Sequence, residues 1–223
     1  MTVAQYRELY RLSKLKTDDV VKTALSVCFY YGLTHDTVNA MHPKVFIKLS
    51  DRMVKKLNIN KPFIPSFKFK RDAKSITFGQ FVEIQQWLRL KKNDDFEAIL
   101  IREIHMVAAS ILRRRKNHRK QSIEILNQDI NGVYYYVIEF LKSYDQLINE
   151  FPFLFKSKEE DTISPKNDHY FQKSFGWIYA ATTIANHNGI KLEEAYKLPV
   201  VRALNDLVYL KAKSDFDNFI LKQ

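Results

Sequence analysis

The sequence predicts a predominantly α-helical chain, a multi-helix bundle carrying one short β-hairpin near residues 66–77. Three observations lead there. Only five Gly and six Pro occur in 223 residues, whereas all-β folds need turn residues at short intervals. Apolar side chains recur at helical spacing over long stretches, most clearly from Phe96 to Leu112. Capping residues stand just ahead of several of those stretches. A hydrophobic content of 46% is enough for a buried core of ordinary size.

Thr2, with Gln5 three positions on, has capping-box spacing, and Val3, Tyr6, Leu9 and Tyr10 mark the first helix. Thr17-Asp18-Asp19 supplies the next cap, its carboxylates placed where the helix dipole favours them. Val20, Val21, Ala24, Leu25 and Cys28 form that helix's apolar face, and Gly32 ends it. Thr34 caps a short helix reaching Met41, and Pro43 suits the first position of another that carries Val45, Phe46, Leu49, Met53 and Leu57. Pro62 and Pro65 then interrupt the pattern, and Phe67-Lys68-Phe69-Lys70 alternates with a period of two, which is the basis for the hairpin.

Thr77 and Gln80 repeat the capping-box spacing and open a helix with Phe81, Ile84, Trp87 and Leu88 inward. Phe96, Ile99, Leu100, Ile104, Val107, Ala108, Ile111 and Leu112 make the strongest apolar stripe. After a short helical link at 122–127, a long helix from Asp129 to Glu150 turns Ile130, Val133, Tyr134, Val137, Ile138, Leu141, Tyr144 and Ile148 inward, and Pro152 stops it. Residues 157–167 are polar, include Pro165, and are expected to form an exposed loop or hinge. That segment divides a helical domain over 1–156, with the hairpin as an insertion, from a C-terminal helical subdomain over 168–223. In the latter, helices at 168–187 and 199–221 are joined through Gly189.

The chemistry-bearing residues are sparse. The single cysteine, Cys28, lies in an apolar run and reads as a small hydrophobe, so no internal disulfide is available and a reducing compartment is expected. Met1 to Glu8 lacks the build of a signal peptide, and no apolar run approaches the roughly 20 residues of a membrane span, so no membrane partner is expected. The six histidines have no metal-binding spacing, and Glu103 and His105 would point to different faces of a helix. Nucleophile-elbow and phosphate-loop motifs are absent. Glu159-Glu160-Asp161 reads as solvation of the loop. No catalytic, cofactor-binding or metal-ligating residue is therefore assigned, and the chain is expected to act by binding macromolecules rather than as an enzyme.

Thirty-six basic against 25 acidic residues give a formal charge of +11, which draws the chain towards anionic partners. The basic residues cluster at Arg113, Arg114, Arg115, Lys116, Arg119 and Lys120. That run would neutralise several phosphates of a nucleic acid, or it would offset the negative end of the preceding helix. It lacks interleaved aromatics for stacking on bases, which favours the second reading. Tyr134-Tyr135-Tyr136 cannot share one helical face, so at least one of them is exposed or meets another surface. Gly176 beside Trp177 suggests the close approach of another backbone with the indole as anchor, either within the chain or in a complex.

Phe171-x-Lys173-x-x-Gly176-Trp177, Ile184-Ala185, Leu204-x-x-Leu207-x-Tyr209 and Lys211-x-Lys213 together form a pattern over Phe171 to Lys213, and Phe67-x-Phe69 precedes Ile76-Thr77-Phe78-Gly79-Gln80-Phe81. In these the chain resembles a group of bacteriophage proteins encoded near the tail genes, especially in phages of Bacteroidetes hosts, regarded as tail-assembly chaperones or other tail-morphogenesis proteins. It departs from them at Arg71-Asp72, where a Gly-containing hairpin is usual, and at Phe175, where Trp is common.

The resemblance implies a non-catalytic chaperone that holds a tail component during virion assembly, with tape-measure, tail-tube or baseplate proteins as partners. Trp177, Tyr179, Phe175 and Tyr135 would be its protein-binding residues, and oligomers are compatible with the role. It would act in the host cytoplasm during assembly. The alternatives are a virion structural subunit of the baseplate, tail or head–tail connector, and a basic nucleic-acid-binding protein using the Arg113–Lys120 run.

Overall fold

The computed structural model describes residues 1–57, 72–88, 96–113, 118–155 and 166–221, with the backbone alone described at 97 and 166–174. Twelve α-helices and a 3-10 turn occur among these residues. They are α1 (Val3–Ser13), α2 (Asp19–Tyr31), α3 (His35–Asn39), α4 (Pro43–Leu57), the 3-10 turn Ala73–Ser75, α5 (Phe78–Trp87), α6 (Phe96–Leu112) and α7 (His118–Leu126). After them come α8 (Ile130–Glu150), α9 (Pro152–Phe155), α10 (Lys166–Asn188), α11 (Leu192–Ala195) and α12 (Val200–Ile220). The chain divides into two compact units, one of residues 1–69 and 88–137, the other of 70–87 and 138–223.

In the first unit, local signals set the helix ends. The Gln5 N–H donates to Thr2 Oγ1 at 3.2 Å while the Thr2 N–H donates to Gln5 Oε1 at 3.0 Å, a complete capping box. The Asp18 carboxylate accepts the Val20 N–H at 2.8 Å and opens α2. Gly32, at φ 65°, closes α2 in the left-handed conformation that a Cβ disfavours. Leu9, Val27, Val38 and Met53 are buried together at the centre of α1 to α4, with Cys28, Phe46, Leu49 and Leu57 packed around them. The Tyr31 hydroxyl donates to the Leu49 carbonyl oxygen at 3.0 Å and ties α2 to α4.

Burial along α6 extends past a single stripe: Ile101 and Ala109 are buried besides Ile99, Leu100, Ile104, Val107, Ala108 and Ile111. A helix apolar on most of its circumference belongs inside a fold, and α1 and α7 both pack on it. Phe96, at its first turn, is exposed. Residues 1–3 return to the start of α8, where the Val3 N–H donates to the Gln128 carbonyl oxygen at 2.9 Å and the Ile130 N–H to that of Met1 at 3.0 Å.

The second unit is built on an aromatic centre. Phe78 and Phe81 are fully buried, with Tyr144 of α8 stacked on Phe81 at 5.2 Å between centroids and Tyr196 stacked on Phe78 at 6.2 Å. The first amides of α5, which no helical carbonyl reaches, find partners far along the chain. The Phe78 N–H donates to the Leu198 carbonyl oxygen and the Gly79 N–H to that of Tyr196, both at 2.9 Å. In return the Val200 N–H donates to the Ile76 carbonyl oxygen at 3.0 Å, so one short junction seats the starts of both α5 and α12. Thr77 and Gln80 also exchange their capping-box bonds there.

Three expectations are corrected. The hairpin near 66–77 is not supported: Ala73–Ser75 form a 3-10 turn after the Asp72 cap, and Thr77 makes only an isolated bridge, to Pro199. Asp72 competes with strand pairing by taking the Lys74 N–H on its own carboxylate, at 3.0 Å. Residues 66–71, with Phe67 and Phe69, lie outside the described residues. Lys166 and Asn167, placed in the loop at 157–167, already belong to α10, and 157–165 lie outside the described residues. The division between compact units falls between residues 137 and 138, inside α8, while both flanks of 157–167 belong to the second unit.

Candidate protein-binding surface

Helix α10 is buried along part of its length and exposed along another in the second unit. Ala181, Ile184 and Ala185 are buried against the rest of the unit, and half-buried Trp177 extends that face by one turn. The indole lies edge-on to Phe81 at 5.4 Å and to Phe78 at 6.0 Å, so it is part of the aromatic centre. Gly176 does not mark a close approach of backbone: a Cβ built there meets nothing within 4 Å. In the turn that precedes the buried residues, Phe175, Ile178 and Tyr179 are exposed to 44%, 50% and 63%, at the i, i+3, i+4 spacing that makes them neighbours on the helix.

Beside that row an open groove of about 430 Å³ runs between α9, α10 and α12. Leu154, Phe155, Trp177, Leu204, Leu207 and Leu210 make its floor, and Tyr179, Lys211 and Asp215 stand along its sides. The Lys211 ammonium donates to the Phe153 carbonyl oxygen at 2.6 Å and lies 4.5 Å from the centre of the Phe153 ring. Past the groove, α12 continues with every residue from Lys211 to Leu221 exposed, Phe216, Phe219 and Ile220 among them. Apolar side chains held in water along one unit are the usual mark of a surface that another chain covers. Phe153, Leu154, Leu210 and the end of α12 beyond Lys213 had no motif to mark them in the sequence, whereas Leu204 and Leu207 fell within the C-terminal pattern.

Tyr135 is the exposed member of the tyrosine triple, in the first unit, while Tyr134 and Tyr136 are half-buried. The first unit has a groove of its own, about 380 Å³ between α1, α2 and α4, lined by Tyr6, Tyr10, Met53 and Leu57 among others.

The basic run is split. Arg113 follows α6 at a positive φ of 27°, whereas Arg119 and Lys120 lie exposed in the first turn of α7. Among the described residues of the run, Arg113 is therefore placed to offset the end of a helix dipole, while Arg119 and Lys120 stand at a helix start, where the dipole disfavours cations. Arg114, Arg115 and Lys116 lie outside the described residues.

Two polar features escaped sequence reasoning. Ser110 Oγ and His118 Nε2 are 3.0 Å apart with Ser110 fully buried, so the pair joins α6 to α7. Burial, aided by the nearby Arg7 and His118, lowers the His105 pKa to about 4, leaving a neutral imidazole at physiological pH. Among the described residues no group of His, Cys, Asp or Glu is arranged to hold a metal ion, and no helix is long and apolar enough to cross a membrane. No protein-family model matches the chain, and neither a curated protein nor a solved structure matches it.

Proposed function

We propose that this chain is a non-catalytic assembly chaperone of bacteriophage tail morphogenesis that shields an apolar helical segment of a tail component. The observation that carries the reading is the exposed row Phe175, Ile178 and Tyr179 beside an open, largely apolar groove. A groove floored by leucines with Phe155 and Trp177 suits the apolar face of an amphipathic helix, recognised through anchors one turn apart. Tail subunits that polymerise must keep such faces covered until assembly, and a reversible cover needs no reacting group. The phage assignment itself comes from the sequence resemblance over Phe171 to Lys213.

Co-purification with tape-measure or tail-tube protein from infected cells, together with absence from finished particles, is the expected result. Stoichiometric copies in purified virions would overturn the chaperone reading in favour of a structural subunit.

A further inference from the structure

The groove-side face of α12 is self-complementary. Leu207, Leu210, Lys211 and Ser214 line the groove, and the same face continues by helical spacing to Asn218 and Leu221, the last 84% exposed. About Ser214 the charges invert: Lys211 and Lys213 come before it, Asp215 and Asp217 after it. Among the described residues, Lys213, Asp215 and Asp217 enter no ion pair. Pairing within the helix, Lys211 to Asp215 and Lys213 to Asp217, would run in the weaker order, with the cation N-terminal to the anion.

We propose that a second copy of this chain occupies the groove, its α12 antiparallel to the first about a two-fold axis at Ser214. In that register Lys211 faces the second copy's Asp215 along one flank and Lys213 faces its Asp217 along the other. The two-fold repeats both, giving four cross-chain ion pairs. Leu207 meets the second copy's Leu221, and the small Ser214 at the crossing lets the helices approach closely. The paired stretch from 207 to 221 is about 21 Å long. A parallel pairing in register would instead set lysine against lysine and aspartate against aspartate, so charge selects the antiparallel arrangement. This deepens the proposed function and rests on it in one respect: the second copy keeps the groove covered until a tail component displaces it.

The test is sedimentation velocity of the purified full chain with two charge-reversed variants, K211D/K213D and D215K/D217K. The unaltered chain should dimerise reversibly, each variant alone should associate about tenfold more weakly or less, and an equimolar mixture should recover dimers. For orientation, Leu207→Cys and Leu221→Cys chains, both carrying Cys28→Ser, should form an interchain disulfide when mixed and not when separate. A monomeric unaltered chain, a mixture of charge variants that stays monomeric, or cross-linking of either cysteine variant with itself would overturn the pairing. Capture of a tail component is measured separately. Its failure with dimerisation intact would count against the proposed function and leave the pairing standing.

Discussion

Trp177 meets Phe81 edge to face, with ring centroids 5.4 Å apart and planes at 82°. That contact makes the indole a support for the α10 surface. Trp177→Ala should therefore lower stability by about 3 kcal/mol, near the low end for a large aromatic because the ring is half-buried. Tyr179→Ala should change stability by no more than about 0.5 kcal/mol while weakening capture of a tail component. Urea unfolding of both variants, beside co-purification, separates support from contact.

Gly176→Ala should stabilise the chain by about 0.5–1 kcal/mol, because the helical backbone there has open space for a methyl group and Ala lowers the entropy lost on folding. A drop in thermal midpoint would contradict this.

Ser143 holds the 3-10 turn to α8 with two bonds. Its Oγ accepts the Ala73 N–H at 2.9 Å and donates to Asp72 Oδ1 at 2.8 Å. Ser143→Ala leaves the amide of fully buried Ala73 unpaired and should cost about 1–3 kcal/mol in chemical denaturation. The Lys74 amide and the Ser143 hydroxyl hold the Asp72 carboxyl below its usual range. That carboxylate thus favours the folded state above the ordinary carboxylate pKa, and its contribution falls as pH drops through the lowered one. Ser143→Ala should flatten part of that acid loss.

His105 gives a second acid-sensitive contribution. The unfolded chain takes up this proton near 6.5 and the folded chain only near 4, so stability is full above 6.5 and declines as pH falls towards 4. His105→Gln should remove that part of the decline. Thermal midpoints of the two chains compared at pH 7 and pH 4.5 give the measurement, and parallel curves would contradict the assignment.

What the sequence disclosed was whatever acts within a turn of helix. Thr2 with Gln5, Thr77 with Gln80 and the left-handed Gly32 each work over three or four residues, so their spacing was readable. Tyr135 was readable in kind: three consecutive tyrosines cannot all turn inward, though only packing decides which stays out. Trp177 with Phe81, Phe153 with Lys211 and Ser110 with His118 join separate elements, and no period in the sequence connects them. The basic run looked continuous because Arg113 carries no sign that its backbone will adopt a positive φ, a conformation more often given to glycine.

The junction between Thr77 and Pro199 sets an order of events at the ribosome. Phe78 and Phe81 emerge early, yet the carbonyls of Tyr196 and Leu198 that receive the first amides of α5 are synthesised about 120 residues later. At elongation rates of about 5–20 residues per second that interval lasts roughly ten seconds. During it the aromatic centre of the second unit has no completed shell, and the nascent chain itself carries the kind of uncovered apolar surface that its proposed activity is to protect in others.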